Sequence, residues 1–291
     1  MIICDAVGGL NNRLRCLVST MRMSEEVKLV WTVKETQLWL WCGFEELFEN
    51  DIEVFRSRDD CVAKYPKLLD PFKKLINDQL INQHNNKPHG FYHPIYSSFK
   101  FIKLPNDSMD INHLYHDNWG DDIPNNIKES VLTQVNNLRP IKYIRDFVSH
   151  YESNFDNDTI TFSIRTWKDA ERNNSSNGRF FDINKVFDEM DKSKYNQSRF
   201  FVTCDHQGTF DKILDRYGDK IIYTPKRTFF GDYKTLEGIQ DSAIDLLLGG
   251  KNKLIVNSKG SSYCDMQWWF GGAKADIKIL NTNPGMRHAR G

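Results

Sequence analysis

The chain has 291 residues, about twice the length of a typical single domain, so two domains of similar size are expected. Apolar residues make up 40% and charged residues 27%, which excludes a largely disordered or collagen-like chain. Lys plus Arg and Asp plus Glu both number 39, so no net field draws the protein to nucleic acid or an anionic membrane, and a small or neutral polar partner fits better. The start, Met-Ile-Ile-Cys-Asp-Ala-Val, lacks the basic region and long apolar stretch of a signal peptide. No window reaches the roughly 18 apolar residues of a membrane span, so a soluble, cytoplasmic protein is expected. The six cysteines (Cys4, Cys16, Cys42, Cys61, Cys204, Cys264) form none of the close pairs of a zinc site and read as reduced, buried thiols.

The opening reads as strand, turn, helix, strand. Ile2 to Val7 is a short apolar run, Gly8-Gly9 is a turn, Leu10, Leu14, Leu17, Val18 and Met21 recur at helical spacing, and Leu29 to Val33 is a second strand. From about Gln79 to Asn126 the chain is rich in Asn, His, Pro and aromatics with little periodicity. It reads as long loops with an acceptor-facing surface. The Asn-rich patches Asn82 to Asn86 and Asn173 to Asn177 read as exposed loops.

Periodicity returns at Ile141. Strands are predicted over Thr159 to Arg165, Arg199 to Cys204, Lys220 to Tyr223, Lys253 to Asn257 and Ile277 to Leu280. Helices alternate with them over Ile183 to Met190, Gln207 to Tyr217, Leu236 to Leu248 and Ser261 to Phe270. That alternation is the pattern of a doubly wound parallel sheet, which binds ligands beyond the carboxyl ends of its strands. Polar residues stand at those ends: Arg165, Asp205, Thr224 and Ser258. The fourth strand leads through Gly260 into Ser261-Ser262 at a helix start, whose free amides and dipole suit a phosphate. Arg165 facing it would complete a diphosphate clamp. Taken singly, Ser-Ser before a helix is an ordinary N-cap and a strand-end Arg a solvated side chain.

These segments resemble a family. Gly8-Gly9-Leu10-Asn11-Asn12-Arg13-Leu14 is similar to the first-loop signature of the fucosyltransferase-like GT-B enzymes, which include the nodulation, core and protein O-fucosyltransferases. Ser163-Ile164-Arg165 resembles their His-Ile-Arg, and Ser261-Ser262-Tyr263 their Ser-Ser-Phe. Asp245-Leu246 resembles the Asp-Leu that precedes Ser-Ser, and Cys42 to Phe48 resembles their Phe-x-x-Leu-Phe segment. The resemblance implies a GT-B fold of two Rossmann-like domains facing a cleft: an acceptor-binding domain over 1–140 and a nucleotide-sugar domain over 141–291. It implies that Arg165 contacts the donor β-phosphate, that Ser261, Ser262 and Tyr263 hold the diphosphate, and that Asp245 lies near the base. Gly8, Gly9 and Asp205 complete the donor-binding candidates. The departures are Ser163 in place of His, Thr166 where an Arg often follows, Asp169 one place later than the family's acidic residue, and Cys264 after the aromatic. They leave open a sugar other than fucose, such as xylose or rhamnose.

The glycine turn lets backbone approach a bound sugar, while Asn12 and Arg13 can donate to the leaving phosphate or the acceptor hydroxyl. The plainer alternative is a tight turn feeding a helix with Arg13 and Arg15 on its exposed face. It is neither a dinucleotide fingerprint nor a P-loop, because the third glycine and the Gly-Lys-Ser/Thr are missing. Transfer also needs a base for the acceptor hydroxyl. Candidates are Asp60, in the loop after Ile-Glu-Val-Phe, and Asp70, which before Pro71 is also an ideal helix N-cap; His93 is a further one. Asp156-Asn157-Asp158 precedes a strand, where a metal-bound diphosphate is out of reach, so no metal and no cofactor are expected.

The expected function is that of an inverting, metal-independent glycosyltransferase, with fucose from GDP-fucose favoured and a glycan hydroxyl as acceptor. A UDP-sugar such as UDP-xylose, or a rhamnose donor, is the alternative. Asp245 accepting from guanine N1 and N2 would make GDP bind more tightly than UDP. A catalytically inactive nucleotide-sugar or glycan-binding protein is the alternative of another class, and an oxidoreductase lacks its glycine fingerprint.

Overall fold

The structure, a computed structural model, describes residues 2–6, 9–22, 24–33, 40–65, 125–166, 182–258 and 261–280. Gly8, Asp70, His93, Asp169, Gly260 and both Asn-rich patches lie outside the described residues. The chain divides after Ile141 into two compact units.

Unit 1 is built on a three-stranded parallel sheet ordered β1 (Ile2–Asp5), β2 (Val27–Val30), β3 (Glu53–Phe55). Helix α1 (Leu10–Met21) crosses from β1 to β2 and buries Leu10, Leu14, Leu17 and Val18, the positions whose spacing marked it as helical. A 3-10 turn over Phe44–Glu46 sets Phe44 against Trp31, with ring centroids 5.4 Å apart, and stacks it on Phe48. Phe48 bridges to Pro140, and Asn50 holds both Asn137 O and the Arg139 amide, so the end of this unit returns to its middle. Two features differ from expectation. Asp60 lies in a short helix, α2 (Arg58–Lys64), rather than a loop, and a helix α3 (Asn125–Asn137) begins where the loop region was to end. Its Asn-rich face masks Val131 and Val135, four apart and wholly buried.

Unit 2 opens with α4 (Lys142–Glu152) and carries five parallel strands: β4 (Ile160–Ile164), β5 (Phe200–Cys204), β6 (Ile221–Ile222), β7 (Leu254–Ser258) and β8 (Asp276–Leu280). They lie in the order β6-β5-β4-β7-β8, connected by α5 (Ile183–Met190), α6 (Gln207–Tyr217), α7 (Leu236–Gly249) and α8 (Ser262–Phe270). The chain runs outward from β4 in one direction, then returns and runs outward in the other, so the switch point falls between β4 and β7.

The sequence Ile-Thr-Phe-Ser-Ile explains how β4 sits there. Alternation sends Ile160, Phe162 and Ile164 into an apolar cluster with Val186 and Met190 of α5 and Phe210 and Ile213 of α6. Thr161 and Ser163 point to the opposite face. Thr161 Oγ1 donates to Gly249 O at 2.8 Å and accepts from Asn252 Nδ2 at 3.0 Å, which anchors the end of α7. Helices α7 and α8 meet backbone to backbone at their carboxyl ends, where a Cβ on Gly271 would stand 2.0 Å from Gly250 O. All six cysteines are free thiols; Cys204 is only half-buried, and Cys4 and Cys16 touch at 3.4 Å between sulfurs.

Glu189 on α5 ties together the outer edge of this sheet. Its buried carboxylate accepts from Lys192 Nζ at 2.6 Å, Lys278 Nζ at 2.7 Å and Tyr195 OH at 3.1 Å. Burial pushes its pKa up, but these bonds outweigh burial and hold it below the ordinary value. A carboxyl lowered in the folded state contributes stability above its unfolded pKa and loses it as pH falls through the folded one. Glu189→Gln should therefore cost about 1–3 kcal/mol at pH 7, and the gap to the parent should close below about pH 4.5. Urea melts of both proteins at pH 7 and pH 3 check this; a gap equal at both pH values would be the contrary result.

Candidate active site

The carboxyl ends of β4, β5 and β7 converge at the switch point. Arg165 and Thr166 follow β4 directly, and Asp205, buried, follows β5. Asp205 Oδ1 accepts both the Thr166 amide, at 2.7 Å, and the Thr166 hydroxyl, at 2.8 Å, while Oδ2 stands 3.5 Å from Arg165 Nε. The carboxylate is thus turned onto the Arg165-Thr166 turn and fixes it; it was expected among the donor ligands and is occupied as a brace. The Arg165 side chain retains 35% exposure, so its guanidinium reaches solvent from a pinned base.

On the other side of the switch point, α8 begins at Ser261. Asp182, His206 and Thr235, the N-caps of α5, α6 and α7, accept from a first-turn amide through the side chain, whereas Ser261 makes no such bond. Cys264 Sγ donates to Ser163 Oγ at 3.3 Å, and Thr203 Oγ1 donates to the same oxygen at 3.2 Å. Burial pushes the Cys264 thiol up to about 11, so at neutral pH it is a protonated donor. Tyr263 is buried, with its hydroxyl donated to Ser242 O at 3.0 Å; it ties α8 to α7 where a diphosphate contact was expected. The Ser258 and Ser262 side chains lie outside what is described.

Asp245 stands on α7 with Asp241 one turn before it, both buried in an otherwise apolar helix. The segment after β6, Thr-Pro-Lys-Arg, supplies their counter-charges. Lys226 Nζ lies 2.5 Å from Asp245 Oδ2, and the Thr224 hydroxyl donates to Oδ1. Arg227 holds Asp241 through both its amide and Nε, with its guanidinium 4.9 Å from the Tyr143 ring. The guanine-reading role expected of Asp245 does not fit this geometry: both oxygens are engaged and the residue is enclosed. Lys226 and Arg227 were missed by sequence reasoning. The signal was there, since two acids four apart on an apolar helix require buried partners.

In unit 1, Gly9 is the N-cap of α1 with ordinary extended backbone, and a Cβ there would meet nothing within 4 Å, so open space lies at this helix start. Asn12 is half-buried and Asn11 buried. Arg13 and Arg15 are not on an exposed face: both are buried. Arg13 Nη1 donates to Thr32 O at 2.7 Å and its guanidinium lies 4.9 Å from the Trp31 ring, so the charge expected to reach substrate works inside the unit. Asp60, exposed, accepts the Ser57 hydroxyl at 2.7 Å and donates its amide back to it as part of the α2 cap. Asp156 closes a turn at the amino end of β4, accepting the Asp158 amide and Thr159 hydroxyl, at the far end of the sheet from Arg165. Among the described residues no helix is long and apolar enough to cross a membrane.

Two parallel α/β sheets in this arrangement match the GT-B fold of fucosyltransferases. The chain is similar over nearly its full length to the NodZ α-1,6-fucosyltransferase soaked with GDP-fucose, an enzyme of Bradyrhizobium, with a TM-score of 0.55 and 15% identity covering 98% of this chain and 96% of that one. A substituted Arabidopsis thaliana FUT1 in complex with GDP gives 0.55 and 11% identity over 96% of this chain and 69% of that one. POFUT1 in complex with GDP-fucose gives 0.50 and 13% over 96% and 97%. No protein-family model matches the sequence, and no curated protein matches it.

The Lys226–Asp245 pair has a measurable consequence. Burial raises the Asp245 carboxyl even with Lys226 and Thr224 beside it. Lys226→Met leaves a buried, unmatched carboxylate and should cost on the order of 3–5 kcal/mol. A carboxyl raised in the folded state binds its proton more tightly there, so stability rises as pH falls through its folded value toward its unfolded one. Thermal melts should show the deficit of the variant narrowing as pH is lowered from 8 toward the ordinary aspartate range. A deficit constant with pH would mean that the ion pair is not what is lost.

Proposed function

We propose that the protein is an inverting, metal-independent glycosyltransferase that moves a sugar, fucose from GDP-fucose in the favoured reading, to a glycan hydroxyl. The observation that carries it is Arg165, pinned by Asp205 at the switch point of a five-stranded parallel sheet, with the start of α8 following the adjacent strand. Unit 2 then binds the donor and unit 1 the acceptor. NodZ and POFUT1, solved with GDP-fucose, have the same fold, which supports the choice of donor.

In the proposed step the acceptor oxygen attacks the anomeric carbon as the bond to the β-phosphate oxygen breaks. Negative charge grows on the diphosphate, and the acceptor proton passes to a base. The Arg165 guanidinium and the leading amides of α8 neutralise the charge without a metal. Of the two acids named as bases, Asp60 is engaged with Ser57 in the α2 cap, which favours Asp70, with His93 as the further candidate. Asn12, at the open start of α1, is the candidate contact to the acceptor hydroxyl or leaving phosphate. A UDP-sugar donor is the second reading, favoured by the enclosure of Asp245, which removes the paired acceptor that guanine would use.

Calorimetric titration of GDP, UDP and dTDP should find GDP bound most tightly, and transfer should persist in excess EDTA. UDP binding most tightly favours the second reading, and activity restored only by manganese overturns metal independence. Charge grows in the transition state, so Arg165 should act on rate more than on donor binding. Arg165→Ala should lower kcat by on the order of a hundred- to a thousand-fold with a melt like the parent's, and Arg165→Lys should recover part of it. Turnover of the Ala variant within about threefold of the parent would remove the diphosphate from this site.

A further inference from the structure

Four polar side chains run behind the proposed diphosphate site, through the interior from one strand end to a helix start. Thr203 on β5 and Ser163 on β4 are paired in register and point to the same face. Cys264, in the first turn of α8, donates to Ser163, so three of these side chains form one chain of bonds and Ser261 stands at the helix start beside them. All four are buried, at 4%, 1%, 0% and 3% exposure.

Hydroxyls in such a place are costly unless matched, and Ser163 Oγ is the acceptor for two of these donors. What the chain of bonds adds is placement. It ties the first turn of α8 to the strand that leads into Arg165. Ser57, Asp182, His206 and Thr235 turn their side chains onto first-turn amides of their helices. Ser261 does not, so its side chain leaves those of α8 uncovered.

We infer that Ser163 and Cys264 are positioning residues for donor transfer, which hold the amino end of α8 at its working distance from Arg165. The inference rests on the donor-binding reading of unit 2. Displacement of a reacting group by about 1 Å costs up to a hundred-fold in rate, so weak bonds that fix position have kinetic effects out of proportion to their stability.

The test compares the parent with Cys264→Ala, Cys264→Ser, Ser163→Ala and the double alanine variant, by thermal melt, GDP calorimetry and steady-state rates. Cys264→Ala should lower kcat by about tenfold and leave the acceptor KM within about twofold, and Cys264→Ser should restore most of the loss. The double variant should be no slower than the worse single one, because both cut the same chain. Singles that act like the parent, or effects that multiply, overturn the inference. Should Cys264→Ala fail to melt cooperatively, Ser163→Ala, which deletes one oxygen, decides alone. A parent that binds none of GDP, UDP and dTDP overturns the donor-binding reading and this inference with it, whereas a parent that binds GDP beside variants with unchanged kinetics overturns only the inference.

Discussion

Unit 2 depends on one constraint: β4 is buried on both faces, and the two faces ask for different chemistry. It lies between β5 and β7, so every backbone group is committed to the ladder and only side-chain alternation remains to distinguish the sides. Ile160, Phe162 and Ile164 join the apolar cluster under α5 and α6. Thr161 and Ser163 present hydroxyls to α7 and α8, and each finds polar partners there. A shift of one residue would set the hydroxyls in the apolar cluster and the isoleucines against Gly249 and Cys264. The register of the sheet, and with it the position of Arg165, is fixed by that penalty.

Charge inside the unit follows a similar rule. Asp241, Asp245 and Glu189 are all buried, and each is matched by a cation close in the fold: Arg227, Lys226, and the pair Lys192 and Lys278. Taking a carboxylate out of water costs several kcal/mol, so pairs of this kind serve less to stabilise than to forbid alternatives in which one partner is left alone. They also bear on the proposed chemistry. Asp205 is spent on the turn at Arg165, and Asp241 and Asp245 on their counter-ions, so these acids are poor recipients for an acceptor proton. With Asp205, Asp241 and Asp245 so engaged and the Arg165 guanidinium reaching solvent, the proposed donor site suits a departing anion.

Much of unit 2 was legible in the sequence, because its elements bury one face each. The helices Ile183–Met190 and Gln207–Tyr217 fall where periodicity put them, and the five strands end within a residue or two of expectation. Unit 1 was less legible for physical reasons. Arg13 and Arg15 have charges that pattern arguments send to solvent, yet long stems and a ring such as Trp31 let a guanidinium be buried. Asp60 looks the same in sequence whether it is a base or part of a cap, and only the Ser57 hydroxyl beside it tells which. Tyr263 matched a motif by position, but its hydroxyl direction is set by Ser242 on α7, 21 residues upstream, which no local pattern contains.

Three of the four residues at which the sequence departs from the fucosyltransferase pattern lie among the described residues, and two of them are in contact. Ser163 and Cys264 lie 101 positions apart and differ from the pattern separately, but in space they are one hydrogen bond. A larger side chain at 163 would have to enter a volume already closed by Thr203 and the Cys264 sulfur, since both positions are essentially inaccessible. Thr166, a third departure, meets the carboxylate of Asp205 with both its amide and its hydroxyl. A guanidinium in its place would keep the amide bond but lose the compact second one, and would bring a second cation beside Arg165. Small polar side chains at 163, 166 and 264 therefore each make close bonds on either side of the β4 end, and Asp205 stands beside Arg165 there. These three of the four departures bear on how the proposed diphosphate site is supported, and leave the choice of sugar to residues that contact it.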